Sequence, residues 1–416
     1  MPDGWERERP QPIAVGPPRR RLSRAERIRE ARRRRRRRFA RSATLCVFVL
    51  IVVGAVFLGS RLWHSVFGGD SDFSGEGKSD VVIQVHDGDS TTAIGQTLED
   101  NDVVATSKVF ISAAEGNAAI QAIQPGFYKM RTEISGSDAV SRLADAQNRV
   151  GKLVIPEGRQ LDDIRDVKTN DVTEGIFTLI SNATCVDLDG DRRCVSADDL
   201  RDAASTASLG DLSVPDWATK PVQAMGDDHR RLEGLIAPGA WDVDPSASPR
   251  DILSSLVGTS AYQYAQGGLL DTAKSLSMTP YQILTVASLV QRESKPQDFD
   301  KVARVIYNRL VAPDHRRLEF DSTVNYSLDR QEVATTDADR GRETPWNTYV
   351  REGLPASPIC SPSAEALAAA EHPAAGDWLY FVTIDLQGTT LFTKDYPQHL
   401  ANIELAKRNG VLDSAR

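Results

Sequence analysis

The chain is poor in the residues from which many catalytic centres are built. Its 416 residues include only 4 cysteines and 6 histidines. It has no His-Glu-x-x-His pair for a zinc protease, no Gly-x-Ser-x-Gly elbow for a serine hydrolase and no Cys-x-x-Cys pair. It also lacks a phosphate-loop pattern and any internal repeat. Nothing in this inventory calls for a metal or a cofactor, and none is expected. Carboxylates are plentiful, with 58 Asp and Glu, so carboxylate chemistry is the strongest catalytic option.

The charge is divided unevenly. Residues 1–41 hold 16 Arg against 5 acids, a balance of +11. The remainder holds 34 basic and 53 acidic residues, a balance of −19. Next to the basic tail lies one apolar run, uncharged from Ser42 to Ser60 and bracketed by Arg41 and Arg61. A span needs roughly 17–25 residues, so residues 42–62 are expected to form a transmembrane helix. The Arg32–Arg38 run beside it fixes residues 1–41 as a cytoplasmic tail under the positive-inside rule. The chain then reads as a single-pass, type II protein of the cell membrane, with its C-terminal part extracytoplasmic. A signal peptide fits less well, because the basic region is too long and no Ala-x-Ala site follows. The position of the Arg run against a span favours anionic lipid over nucleic acid, and no nucleic-acid partner is expected.

Residues 63–80 read as a linker rich in Gly, Ser and Asp. Residues 81–157 show a small α+β pattern, with strands at Val81–Val85, Gly126–Met130 and Lys152–Ile155. Residues 158–230 are polar, acidic and weakly periodic, and read as a variable, partly mobile insertion. They contain Cys185 and Cys194, which outside a membrane can form a disulfide. The intervening Asp187-Leu-Asp-Gly-Asp191 only partly matches a calcium loop, with its glycine misplaced and no distal Glu. Residues 231–416 carry most of the helical pattern and complete an α+β fold class.

One carboxylate stands out. Thr279 is a good N-cap, Pro280 suits the first turn and Gln282 occupies the capping-box position. Ile283, Val286, Leu289, Val290 and Glu293 then recur at helical spacing, which puts Glu293 on the inward stripe. There it needs a partner, for which Arg304 or Arg309 would serve, or else desolvation raises its pKa. A raised pKa suits a general acid.

The segment Ala287-Ser-Leu-Val-Gln-Arg-Glu-Ser294 resembles the Ala-Ser-x-x-x-x-Glu signature of the endolytic murein transglycosylase (MltG/YceG-like) family. Further pieces are similar in the same order: Leu232-Glu-Gly-Leu-Ile-Ala-Pro238, Asn308-Arg-Leu310, Leu318-Glu-Phe-Asp-Ser-Thr-Val-Asn-Tyr326, and Trp346-Asn-Thr-Tyr349 with Gly353-Leu-Pro and Pro358-Ile. Residues 81–157 resemble its LysM-like module. The sequence departs from the family pattern at Gln291, where a first Glu is common, at Trp346, usually Tyr, and at Thr390, where a His often precedes the Phe. Ala237 and Ala240 also replace larger or polar residues.

The resemblance implies a helix-rich α+β catalytic domain that cuts MurNAc-GlcNAc bonds inside peptidoglycan glycan strands and leaves 1,6-anhydroMurNAc ends. It makes Glu293 the catalytic residue. Asp321, Thr323, Tyr326, Asn347, Tyr349 and Glu233 are the implied substrate contacts. Other readings stand beside these: an N-cap or Asx turn for Asp321, loop pinning for Asn347, core packing for Tyr326 and Tyr349, and for Glu233 orientation of a loop over the cleft or a surface cap. His399 reads as a structural hydrogen bonder. Peptidoglycan glycan strands are the expected partner, with peptidoglycan synthases as further ones. The rival functions are an inverting muramidase using Glu293 with Asp321, and a non-catalytic glycan-binding scaffold.

Overall fold

The computed structural model describes residues 72–331 and 335–411. The Arg-rich tail and the apolar run at 42–62 lie outside the described residues. Among the described residues no helix is long and apolar enough to cross a membrane.

The first folded element is a small module in the order strand, helix, helix, strand. Asp80–Val85 pairs antiparallel with Gly126–Arg131, Asp80 opposite Arg131 and Val85 opposite Gly126. Helices Thr91–Asp100 and Ser107–Ala114 lie between them in sequence. The first is started by Ser90, whose side chain accepts from the Ala93 N–H, satisfying one of the donors a helix start leaves orphaned. Ile83, Leu98, Phe110, Met130 and Leu143 form a core of the module's own.

The module ends earlier than its strand pattern suggests. Lys152–Ile155 pairs antiparallel with Gly239–Asp242, and Leu153 and Ile155 join the larger core. Gly151 makes the break: its φ is +70°, and a Cβ there would lie 1.9 Å from the Val243 carbonyl oxygen. The backbone turns so tightly that the next strand is delivered to a different sheet.

Residues 158–230 are folded into the main body. They form helices Ile176–Thr184, Ala197–Thr206 and Asp216–Ala224, and Ile176, Phe177, Ile180, Leu200 and Val222 enter the large core. The helices Ala197–Thr206 and Asp216–Ala224 each bury only two residues, Leu200 with Ala204 and Ala218 with Val222, which explains the weak periodicity there. Cys185 and Cys194 are joined, closing the hairpin Val186–Leu188 with Asp191–Arg193. The hairpin docks on the module: the Asp189 carboxylate accepts from the Asp80 N–H and the Asp80 carboxylate from the Asp189 N–H, both at 2.9 Å. No group of three or more His, Cys, Asp or Glu able to hold a metal occurs among the described residues.

The catalytic region is built around the helix Pro280–Glu293. Its capping box is formed, with Thr279 Oγ1 accepting from the Gln282 N–H at 3.2 Å and Gln282 Oε1 from the Thr279 N–H at 2.9 Å. The helix is buried on every side, since all residues from Tyr281 to Val290 except Gln282 are buried. Helices Asp216–Ala224, Leu269–Ser275, Phe299–Val311, Asp321–Ser327 and Ala364–Glu371 surround it. The last approaches with Ala366, Ala369 and Ala370, small residues that let two helices come close. The antiparallel pair Tyr380–Thr383 and Thr390–Thr393 and the helix Tyr396–Arg408 complete the chain.

The Gly151 turn predicts a graded pair of substitutions. Gly116 has the same φ of +70° with nothing within 4 Å of a Cβ, so Gly116→Ala should cost only the left-handed backbone penalty, roughly 1–2 kcal/mol. Gly151→Ala adds a backbone clash and should cost about 2–4 kcal/mol. Urea unfolding of the two variants checks the order, and equal losses would contradict the steric account.

Candidate functional site

Glu293 is the last residue of the central helix. Its side chain is half-buried, and Oε1 is fully enclosed without a hydrogen-bond partner. The anticipated ion-pair partners are engaged elsewhere: Arg309 binds Glu319 at 2.6 Å, and Arg304 donates to the Ala374 carbonyl at 2.5 Å. Desolvation, reinforced by the charge of Asp321, pushes the Glu293 pKa up to about 7. The Ser322 hydroxyl and N–H and the Arg292 charge oppose the rise. The first turn of the helix Asp321–Ser327 thus faces the carboxyl through Ser322.

Asp321 sits at the start of that helix with both oxygens occupied. Oδ1 accepts from Tyr349 Oη at 2.9 Å, Thr335 Oγ1 at 2.6 Å and Arg340 Nε at 3.1 Å. Oδ2 accepts from Arg340 Nη2 at 3.0 Å. The Arg340 guanidinium also lies 4.9 Å from the centre of the Tyr349 ring. Asp321 is thus held in place beside Glu293, where its charge favours the protonated form of that carboxyl.

The loop that brings Tyr349 here is stapled from within. Asn347 is fully buried; its Nδ2 donates to the carbonyls of Arg340 at 3.0 Å and Arg342 at 2.7 Å, and its Oδ1 accepts from the Tyr349 N–H at 2.9 Å. Thr348 Oγ1 accepts from the Phe320 N–H at 3.0 Å and lies 3.0 Å from Thr323 Oγ1. Trp346 donates its indole N–H to Ser357 at 2.8 Å and meets Tyr326 edge to face, with centroids 5.3 Å apart.

Other distant segments lock onto the central helix. Ser288 Oγ accepts from the Ile359 N–H at 3.0 Å, and Gln291 Oε1 from the Ser363 N–H at 2.9 Å. A Cβ on Gly234 would fall 2.5 Å from Pro358 Cβ, so Leu-Glu-Gly can pack on Pro-Ile only with glycine there.

These interlocking pieces are the ones whose order suggested a family, and the chain matches the YceG-like family over residues 83–405. The chain belongs to the YceG-like family. A protein of Bacillus subtilis (strain 168) named endolytic murein transglycosylase is 27% identical over 354 residues, covering 84% of this chain and 89% of that one. A protein of the same name from Streptococcus pneumoniae serotype 2 (strain D39) is 25% identical over 349 residues; the match covers 78% of this chain but 58% of the pneumococcal one. Among solved structures, a YceG-like protein from Listeria monocytogenes aligns with a TM-score of 0.47 and 23% identity, over 78% of this chain and 99% of that one.

In this YceG-like protein the expected site residues separate into two groups. Glu293, Asp321 and Tyr349 come together, each half-buried. Thr323, Tyr326, Asn347 and Glu233 are buried in the frame around them. Asn347 and Thr323 spend their polar atoms inside the protein, which corrects their assignment to direct substrate contact. Glu233 is 1% exposed, with Oε2 accepting from the Tyr326 hydroxyl at 3.0 Å and the Leu161 N–H at 3.1 Å. It is neither a surface cap nor a substrate contact. Burial pushes its pKa up to about 8, with the Asp162 charge adding and the two hydrogen bonds and Arg230 opposing. His399 lies apart, stacked on Tyr380 with centroids 4.9 Å apart, and burial and Arg309 lower its pKa.

Sequence reasoning missed Arg340, Thr335 and Ser322. Ser322 lay within a quoted motif, next to Asp321, and could have been found there. Arg340 and Thr335 belong to the segment between two motifs and carried no signal of their own.

The raised carboxyl pKa values set a direction for stability. Both groups bind their proton more tightly in the folded chain than at the ordinary value of 4.5. The stability they confer is therefore complete below about pH 4.5 and is lost as pH rises through about 7 and 8. Urea unfolding from pH 5 to 9 should show falling stability. Glu293→Gln should remove on the order of 2–3 kcal/mol of that fall. An unchanged profile in the variant would show that Glu293 titrates normally.

Proposed function

We propose that this protein is an endolytic peptidoglycan lytic transglycosylase that cleaves the MurNAc-GlcNAc bond within glycan strands. The observation that carries the reading is a single carboxyl, Glu293, poised near neutrality beside an aspartate whose oxygens are all engaged. Family membership and two relatives named endolytic murein transglycosylase support it.

The chemistry needs one proton carrier. Protonated Glu293 gives its proton to the glycosidic oxygen as the C1–O bond breaks, and positive charge develops at C1 and the ring oxygen. The Glu293 carboxylate then takes the proton of the C6 hydroxyl as that oxygen closes on C1. No water is consumed, and the carboxyl returns to its starting state. A group that acts as acid and then as base works best with a pKa near the working pH. Asp321 contributes by keeping Glu293 protonated, and Arg340 with Tyr349 holds Asp321 in place.

An inverting hydrolase instead needs a second carboxylate free to activate water, with the pair about 6.5–9.5 Å apart. Four hydrogen bonds from Tyr349, Thr335 and Arg340 leave Asp321 poorly suited to that role. A binding scaffold would gain nothing from a carboxyl whose proton affinity is raised by desolvation.

The setting is part of the proposal. The apolar run at 42–62 and the basic tail before it support a single-pass type II anchor in the cell membrane. That would place the enzyme beside peptidoglycan synthases, acting on nascent strands and ending their elongation. The strand–helix–helix–strand module supports a LysM-like glycan-binding part.

Digestion of peptidoglycan by the full chain in detergent should release anhydromuramyl fragments, lighter by one water than hydrolysis products. Glu293→Gln should lower the rate by about 10²–10⁴-fold. Hydrolytic products, or an active variant, would sink the reading. The rate should also fall as pH rises above about 7, where Glu293 loses its proton. Asp321→Asn should leave a slower but active enzyme whose alkaline limb moves to lower pH, because a charge that raises the Glu293 pKa is gone. Loss as complete as in Glu293→Gln would point to Asp321 as the base of a hydrolase.

A further inference from the structure

The last turn of the central helix, which ends in Glu293, is flanked by two segments from distant parts of the chain. One is the turn Pro156–Leu161. Its Gly158 carbonyl accepts from Arg292 Nη1 at 3.5 Å, and a Cβ on Gly158 would sit 3.5 Å from Gln291 Cγ. The other is the helix Asp321–Ser327, whose first turn supplies Asp321 and Ser322 to the carboxyl. Glu233 reaches both flanking segments. A single oxygen, Oε2, takes the Leu161 N–H at the end of the turn and the Tyr326 hydroxyl on the helix. Its own backbone is fixed by Gly234, against Pro358 and with its carbonyl accepting from Tyr264 Oη at 3.0 Å.

We infer that Glu233 is a positioning residue: its buried carboxyl ties the turn Pro156–Leu161 to the helix Asp321–Ser327 and so sets how Asp321 and Ser322 face Glu293. The inference rests on the transglycosylase reading for its kinetic consequence but not for its geometry. The arrangement has a second layer. Tyr326 lies under the Arg230 guanidinium, 5.6 Å from the ring centre, and Arg230 holds Asp329 through both carboxylate oxygens at 2.6 and 2.7 Å. Arg230 is three residues before Glu233, so one short stretch grips both the side chain and the C-terminal end of the helix. The other oxygen of Glu233 and the Tyr281 hydroxyl are both enclosed without a hydrogen-bond partner, and Glu233 perturbs the Tyr281 hydroxyl electrostatically. The acceptor function of the carboxyl, not a charge, is what the geometry uses. Glutamine can reproduce that function, because its carbonyl oxygen also accepts two hydrogen bonds.

The test is a variant series in the full chain, read by kcat and KM for anhydromuramyl release and by hydrogen exchange of the amides at 157–161 and 322–327. Glu233→Leu should lower kcat at least tenfold with KM changed less than threefold, and should speed exchange in both segments. Glu233→Gln should restore most of kcat and the slow exchange. Tyr326→Phe should reproduce the kcat loss in part, and Glu233→Leu with Tyr326→Phe should be no worse than Glu233→Leu alone. Should Glu233→Leu fail to fold, Tyr326→Phe and Glu233→Gln decide the matter. Wild-type kcat and exchange in Tyr326→Phe would overturn the inference. So would a folded Glu233→Gln as inactive as Glu293→Gln, since Glu233 would then act through its proton. A change confined to KM would make Glu233 a binding residue and would also overturn it. If the wild type releases no anhydro product, the transglycosylase reading falls, and the exchange measurements still judge the tie between the two segments.

Discussion

The structure depends on one costly placement, a carboxyl group at the end of a helix that is buried on all sides. Removing a carboxylate from water without a partner is unfavourable enough that the group retains its proton instead. The helix can hold it there because Ile283, Leu284, Val286, Leu289 and Val290 are fully buried ahead of it, each contributing roughly 1.5–3 kcal/mol. That packing leaves the last turn little freedom to swing Glu293 into solvent. The same packing that stabilises the fold therefore produces the perturbed proton affinity, and site and core cannot be separated energetically.

Around this helix the chain uses buried polar contacts sparingly, each joining segments far apart in sequence. Ser288 holds Ile359, Gln291 holds Ser363, Asn347 holds the carbonyls of Arg340 and Arg342, and Glu233 joins Leu161 to Tyr326. An unsatisfied buried donor costs more than a satisfied one gains, so such contacts define a single arrangement of the loops. A helix packed only by aliphatic residues could slide; these bonds allow one register. Gln291 illustrates the point. It replaces an acid common in the family, and its amide oxygen takes up a backbone N–H.

The legibility of the sequence follows from the range of the interactions. The capping box at Thr279 and Gln282, and the helix it starts, depend on residues within one turn, so local rules suffice. Glu293 was legible as a suspicious carboxylate, but its freedom from Arg304 and Arg309 depends on where those side chains find partners in three dimensions. The module boundary was misplaced because Lys152–Ile155 reads as a strand whichever sheet it joins; only the steric demand at Gly151 sends it to Gly239–Asp242. Residues 158–230 look poorly ordered because two of their three helices turn only two residues each to the core. Glu233 was placed against substrate because a motif gives identity without depth, and its burial appears only when Leu161 and Tyr326 close over it.

The pairing of Glu293 with Asp321 also bears on how one carboxyl can perform two proton transfers. Two free carboxylates at close range share protons, and their titrations cannot be assigned to either alone. Here the symmetry is broken by solvation. Asp321 accepts four hydrogen bonds, two of them from a guanidinium, while Oε1 of Glu293 accepts none. Of the two, Glu293 is therefore the carboxyl that desolvation pushes toward holding its proton. When Glu293 gives up that proton, the pair briefly holds two negative charges in a space that favours one. Its carboxylate is then an unusually strong base for its position, directed at whatever hydroxyl the substrate presents. In the proposed reaction that hydroxyl is the C6 hydroxyl of the sugar, and its ring closure on C1 returns the pair to a single charge.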